Sequence, residues 1–141
     1  MSVENKTPIT VNANVGAPVE KVWNYWSDPK HITQWSAASD DWHTPRAEND
    51  LRVGGQFSSR MEAKDGSFGF DFGGTYDAVD EHKQIAYTLG DGRKVDIQFT
   101  TNGDQTDIVQ TFDPESTNPI EMQREGWQAI LNNFKRYAEQ H

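Results

Sequence analysis

Hydrophobic and polar residues alternate through most of this chain, and the spacing turns helical only after the first strand and at the C-terminal end. Ile9, Val11, Ala13 and Val15 alternate with Thr10, Asn12 and Asn14, which predicts a half-buried strand. Gly16-Ala17-Pro18 ends it. Val19, Val22, Trp23 and Trp26 then fall at helical spacing, and Asp28-Pro29 both stops that helix and caps a second short one through Ile32 and Trp35. From about Asp41 the period returns to two. Residues 42–48 read as a strand interrupted by Pro45, an edge or bulged position. Phe57, Ser59, Met61 and Ala63 form the next inward row. Phe68, Phe70, Phe72, Gly74, Tyr76 and Ala78 share one face of a long strand, followed by Ile85, Tyr87 and Leu89, then by Val95, Ile97 and Phe99, and last by Ile108, Gln110 and Phe112. Gly54-Gly55, Asp65-Gly66, Gly90-Asp91-Gly92 and Asn102-Gly103 supply the turns.

The last stretch, residues 119–138, predicts one long amphipathic helix. Ile120, Trp127, Ile130, Leu131, Phe134 and Ala138 lie on one stripe. Asn118 is placed to cap, Pro119 to occupy the first helical position and Glu121 to complete a capping box. Lys135 and Arg136 lie near the end, where they complement the helix dipole. Gln123 projects into the apolar stripe and Gly126 sits at its edge. A mid-helix glycine costs roughly 1 kcal/mol against alanine, so Gly126 marks either close packing on the sheet or room for something else. The order is strand, two short helices, about six strands joined by short turns, and a long helix. Short turns require antiparallel neighbours. Such a sheet wets one face and buries the other, and only the last helix is long enough to cover the buried face.

Composition narrows the classes of function. A length of 141 residues suits one domain, with 1–8 as a polar, frayed N-terminus and 9–141 as the folded unit. The formal net charge of −9 argues against nucleic acid and anionic membranes as partners. There is no cysteine, hence neither a disulfide framework nor thiol chemistry. No signal-peptide core and no membrane-spanning run is visible, so a cytoplasmic protein is expected. His31, His43, His82 and His141 are dispersed without metal-binding spacing, and no metal or other cofactor is expected. Gly66, Gly69, Gly73 and Gly74 follow a hairpin and run within a strand, where they mark bends rather than a phosphate loop. Asp40, Asp41, Asp77, Asp80 and Glu81 fall on turns or the wet face, which leaves no carboxylate in an inward row for acid–base work. Sixteen aromatic residues (five Trp, seven Phe, four Tyr) carry much of a hydrophobic fraction of only 34%. Large rings fill a core efficiently and also line pockets.

At this point the chain resembles a known family. Ala17-Pro18-Val19-Glu20-Lys21-Val22-Trp23, Asp28-Pro29 with Trp35, Asp50-Leu51-Arg52-Val53-Gly54-Gly55, Gly74-Thr75-Tyr76, Ile85-Ala86-Tyr87-Thr88 and Gly126-Trp127 occur in the order found in START/Bet v 1-like (SRPBCC) proteins. The wording is similar to the branch of the C-terminal domain of activators of the Hsp90 ATPase. The resemblance spans about residues 9–138. It implies an α+β helix-grip (Bet v 1-like) fold: an antiparallel, curved, seven-stranded sheet wrapped around the long C-terminal helix, with two short helices after the first strand. It also implies a cavity between sheet and helix that takes a small hydrophobic or amphipathic molecule. Some related branches cyclise or dehydrate a bound substrate. The eukaryotic chaperone-binding members carry an additional N-terminal domain that these residues do not include, so the family name is not taken as the function.

Given such a cavity, the candidate wall is Trp26, Trp35, Trp42, Phe57, Met61, Phe70, Phe72, Tyr76, Tyr87 and Phe99, with Met122, Gly126 and Ile130 from or near the helix. The alternative for each ring is a plain core. Trp35 and Trp42 bracket residues 36–41, a segment placed to form a lid or entrance. Arg52 is expected to pair with Asp50 or another nearby acid. Ser59, Gln110 and Gln123 interrupt apolar rows. Buried polar groups must be hydrogen-bonded, so either they satisfy one another or a water, or they face the cavity and orient a ligand. Ser and Gln are poor general acids and bases, which favours binding over catalysis, with no catalytic residue assigned. An enzyme of cyclase or hydrolase type, a stress-related or chaperone-interacting protein, and a homodimer remain the alternatives.

Overall fold

The structure, a computed structural model, describes residues 7–141. The expectation of a frayed start falls mainly on residues 1–6, outside the described residues. Strand β1 (Ile9–Val15) leads into helices α1 (Val19–Ser27) and α2 (Pro29–Trp35). Then follow β2 (Trp42–Asn49), β3 (Gln56–Ala63), β4 (Gly69–Asp80), β5 (Gln84–Leu89), β6 (Lys94–Asn102), β7 (Gln105–Phe112) and helix α3 (Ile120–Gln140). The seven strands form one antiparallel sheet in the order β1-β7-β6-β5-β4-β3-β2. This is the helix-grip α+β fold. The period-two rows fall on the concave face: Ile9, Val11 and Val15, then Val95, Ile97 and Phe99, then Ile108, Gln110 and Phe112 are all buried.

Local chemistry explains where the elements stop and bend. The Asp28 carboxylate accepts the Lys30 N–H at 3.0 Å and Pro29 opens α2, so one dipeptide separates the two short helices. Pro45 falls where the β2–β3 register shifts, between His43 and Arg46. A second shift lies between Tyr76 and Ala78. In β4, a Cβ on Gly73 would collide with the Phe57 carbonyl, and one on Gly74 with the Thr88 carbonyl. These glycines let β4 press against both neighbours as the sheet curls.

The start of α3 differs from expectation. Pro119 is the cap residue rather than the first helical one, and among the described residues no side chain caps the helix. Asn118 turns its amide to the Glu115 carboxylate at 3.0 Å, and that carboxylate also accepts the N–H groups of Thr117 and Asn118. A self-contained loop takes the cap's place. Lys135 and Arg136 also stop short of the last turn, which holds no basic residue.

Helix α3 lies along β1, one of the two edge strands of the sheet. Three of its side chains donate to alternate β1 carbonyls: Arg124 to Thr10 at 3.4 Å, Gln128 to Asn12 at 2.9 Å and Lys135 to Asn14 at 2.7 Å. Glu139 accepts the Gly16 N–H at 2.7 Å. The other edge strand, β2, is tied to the short helices by Asn49 donating to the Ser27 carbonyl and Thr44 to that of Ser36. At the C-terminal end of α3 the interface is dense. Leu131, Phe134 and Ala138 are sealed in one core cluster with Val15, Val22 and Ile108, and the rings of Trp26 and Trp35 stand 4.9 and 4.8 Å from Phe134.

Candidate functional site

At its N-terminal end the helix does not close on the sheet. A cavity of about 350 Å³ lies there, walled by α1 and α2 (Trp26, Ile32, Trp35), by β3 to β5 (Phe57, Ser59, Met61, Phe70, Phe72, Tyr76, Ile85, Tyr87), by Gln110 of β7 and by α3 (Gln123, Trp127, Ile130). Ser36, Glu48, Asn49, Arg93, Glu115 and Asn118 complete it. The volume falls in the range of small-molecule sites. Strand alternation explains the lining: β3, β4 and β5 each turn every second side chain inward, and many of these are rings. Phe57 packs on Phe72, Tyr76 and Tyr87, and Phe72 meets Trp127, which stacks on Phe112 at 3.9 Å.

The buried polar residues divide into two sets. Gln123 is fully used by the loop before its helix. Its carbonyl accepts the Glu115 N–H at 2.9 Å, and its amide donates to the carbonyls of Glu115 and Asn118 at 3.1 and 2.8 Å. Tyr76 donates its phenol proton to Asn49, whose own amide holds the Ser27 carbonyl at 2.6 Å. Ser59, Tyr87 and Gln110 are different. Each is more than nine-tenths buried, yet among the described residues none of their side-chain polar atoms has a hydrogen-bond partner. No described side-chain nitrogen or oxygen is both sealed and unpartnered. These atoms therefore open onto the cavity that their side chains line. Burial pushes the Tyr76 and Tyr87 phenols well above their ordinary value near 10, so both stay protonated at neutral pH.

Of the residues singled out from the sequence, Trp26, Trp35, Phe57, Ser59, Met61, Phe70, Phe72, Tyr76, Tyr87, Gln110, Gln123 and Ile130 line the cavity. Four stand elsewhere. Trp42 packs with the exposed rings of Phe68 and Phe70 at the far end of the β3–β4 hairpin. Phe99 is sealed beneath α1 against Trp23 and Trp26. Met122 is 58% exposed. Gly126 is beside the cavity rather than on its wall, and nothing lies within 4 Å of where its Cβ would stand, so close packing does not account for it. Trp35 is a clamped core residue: its indole donates to the Tyr25 carbonyl at 2.9 Å, and Asn133 holds its own carbonyl at 2.7 Å. Arg52 pairs with Asp50 at 2.9 Å, as expected. Asn49, Arg93 and Glu115 were not visible as site residues. The bulge at Pro45 blurs the inward row of β2, and the other two lie in connections. Among the described residues, no three His, Cys, Asp or Glu side chains cluster as a metal site, and no helix is long and apolar enough to cross a membrane.

Residues 16–139 match the family described as Activator of Hsp90 ATPase homolog 1-like protein. The chain is similar over 95% of its length to the solution structure of an AHSA1-like protein from Aeromonas hydrophila, at 45% identity, 93% coverage of that chain and a TM-score of 0.89. It is 59% identical to a protein from Cytophaga hutchinsonii, over 96% of this chain and 93% of that one, with a TM-score of 0.82. A protein from Nitrosomonas europaea shares the fold at 16% identity, with 98% and 97% coverage and a TM-score of 0.81. No curated protein matches the chain.

Proposed function

The chain belongs to the family of Activator of Hsp90 ATPase homolog 1-like proteins, and from that premise we propose that it binds a hydrophobic or amphipathic small molecule between the sheet and the first half of α3. One observation supports the reading: an aromatic-walled cavity of about 350 Å³ into which three buried polar side chains open without partners among the described residues. Solid packing would remove such groups or pair them, because an unsatisfied buried group costs roughly 1–3 kcal/mol. A ligand, or water in its absence, meets that need. The interior groups are an alcohol, an amide and two protonated phenols, a set suited to holding a molecule rather than to moving protons at neutral pH.

Native mass spectrometry of the protein purified gently from its own host tests the proposal. A reproducible extra mass released on denaturation is the expected result, and it supplies the ligand's composition. A bare mass, together with no shift in melting temperature across a panel of apolar small molecules, refutes it.

A further inference from the structure

Resting on that reading, we infer that the occupant is an uncharged amphipath whose buried part carries a hydroxyl or carbonyl group and no carboxylate or phosphate. Ser59, Tyr87 and Gln110 are what the cavity offers for recognition. A serine hydroxyl and a glutamine amide each donate and accept, and a protonated phenol chiefly donates. They complement a neutral hydroxyl or carbonyl. None carries the positive charge that offsets the desolvation of a buried anion.

The charged residues at the cavity point the same way. Arg93 is the cation among its lining residues, and its guanidinium is already held by Asp91 at 2.7 Å. Glu115 stands at the solvent-facing rim of the same cavity. The Glu115 carboxylate lies below its ordinary range because the N–H groups of Asn118 and Thr117 and the Asn118 amide hydrogen-bond to it, so it stays negative at neutral pH. The chain as a whole carries −9. An anionic ligand would meet the Glu115 carboxylate at the rim, an engaged guanidinium and an unfavourable field. A plain hydrocarbon would fit the rings but leave three buried polar groups dry.

Three probes of nearly equal shape separate these cases: naphthalene, 2-naphthol and 2-naphthoate, titrated into the intact protein at pH 7 by calorimetry or tryptophan fluorescence. The expected order is 2-naphthol, then naphthalene, then 2-naphthoate, with steps of about five- to tenfold, the size of one hydrogen bond. In Tyr87→Phe and Gln110→Leu the 2-naphthol advantage over naphthalene shrinks towards unity while naphthalene still binds. Ser59→Ala and Tyr87→Phe remove only a hydroxyl, so they carry the test if Gln110→Leu fails to fold. Equal or tighter binding of 2-naphthoate overturns the inference and leaves the cavity reading intact, as does an equal affinity for naphthalene and 2-naphthol in the unaltered protein. Failure of all three to bind removes the cavity reading with it.

Discussion

The two ends of the helix–sheet interface are built from the same kind of residue and reach opposite results. At the C-terminal end of α3, Phe134 and Ala138 are fully sealed, Leu131 nearly so, and Phe134 meets the rings of both Trp26 and Trp35. At the N-terminal end, Phe57, Phe72 and Trp127 are only partly buried and stand around open space. Aromatic content alone does not separate a core from a pocket. The difference lies in the third side. Helices α1 and α2 press Trp26 and Trp35 down onto Phe134, whereas the loop of residues 113–118 holds the start of α3 through Gln123 and leaves the sheet beneath it uncovered. Polar groups sort in the same way. The fully buried Thr106 is tied to the Ala17 carbonyl at 2.8 Å, while Ser59, Tyr87 and Gln110 face the opening.

The contrast breaks most visibly when equal amounts of ring are removed from each end. Phe134→Ala is expected to cost about 3–5 kcal/mol in urea unfolding, because the surrounding rings cannot collapse into the void. Phe72→Ala is expected to cost about 1–2 kcal/mol, since part of that ring already faces open space. Similar losses would mean that the hollow end is packed as tightly as the dense one. The paired glutamines give the next largest difference. Gln123→Leu leaves the Glu115 N–H and the Glu115 and Asn118 carbonyls without their partner, a loss of about 1–3 kcal/mol, whereas Gln110→Leu is expected to be neutral or stabilising.

Alkaline titration sharpens the picture from the phenols' side. The folded state holds the protons of Tyr76 and Tyr87 more tightly than the unfolded chain does. Their contribution to stability is fully present below about pH 10 and is lost progressively as pH rises from there through the raised ionisation of the folded phenols. Absorbance near 295 nm should show these two tyrosines un-ionised after exposed phenols have titrated, and Tyr87→Phe should flatten the alkaline loss of stability. The smallest expected effect is a gain. Gly126→Ala meets nothing within 4 Å, so melting should report an increase of about 1 kcal/mol from helix propensity alone.

Much of the fold was legible because alternation reports directly which face a side chain takes. Val95, Ile97 and Phe99 need no further context, nor does Gln110 as an inward residue. What alternation does not report is the partner. Gln110 and Gln123 both interrupt apolar rows, and nothing in the sequence distinguishes the one that faces a cavity from the one that stitches a loop. The helix start misled for a related reason. Asn118 has the chemistry of a cap, but Glu115, three residues earlier, competes for it and wins. Trp42 and Phe99 carry the same inward signal as Tyr76, yet one lies past the end of the cavity and the other beneath α1. Depth along the strand decides this, and a period of two contains no depth. Asn49 was hidden by the Pro45 irregularity, because one shifted residue scrambles the parity of the row.

The three donors that α3 lays on the β1 carbonyls also govern how the protein behaves in a crowded solution. An open strand edge is a template on which another chain can grow, and natural sheets blunt it with charge, bulges or covering segments. Here Arg124, Gln128 and Lys135 occupy the Thr10, Asn12 and Asn14 acceptors that an incoming strand would need. The final helix is therefore a guard against fibre growth as well as a lid on the core. A concentrated stock should stay clear for as long as that helix stays docked, and turbidity on warming should begin with its release rather than with melting of the sheet.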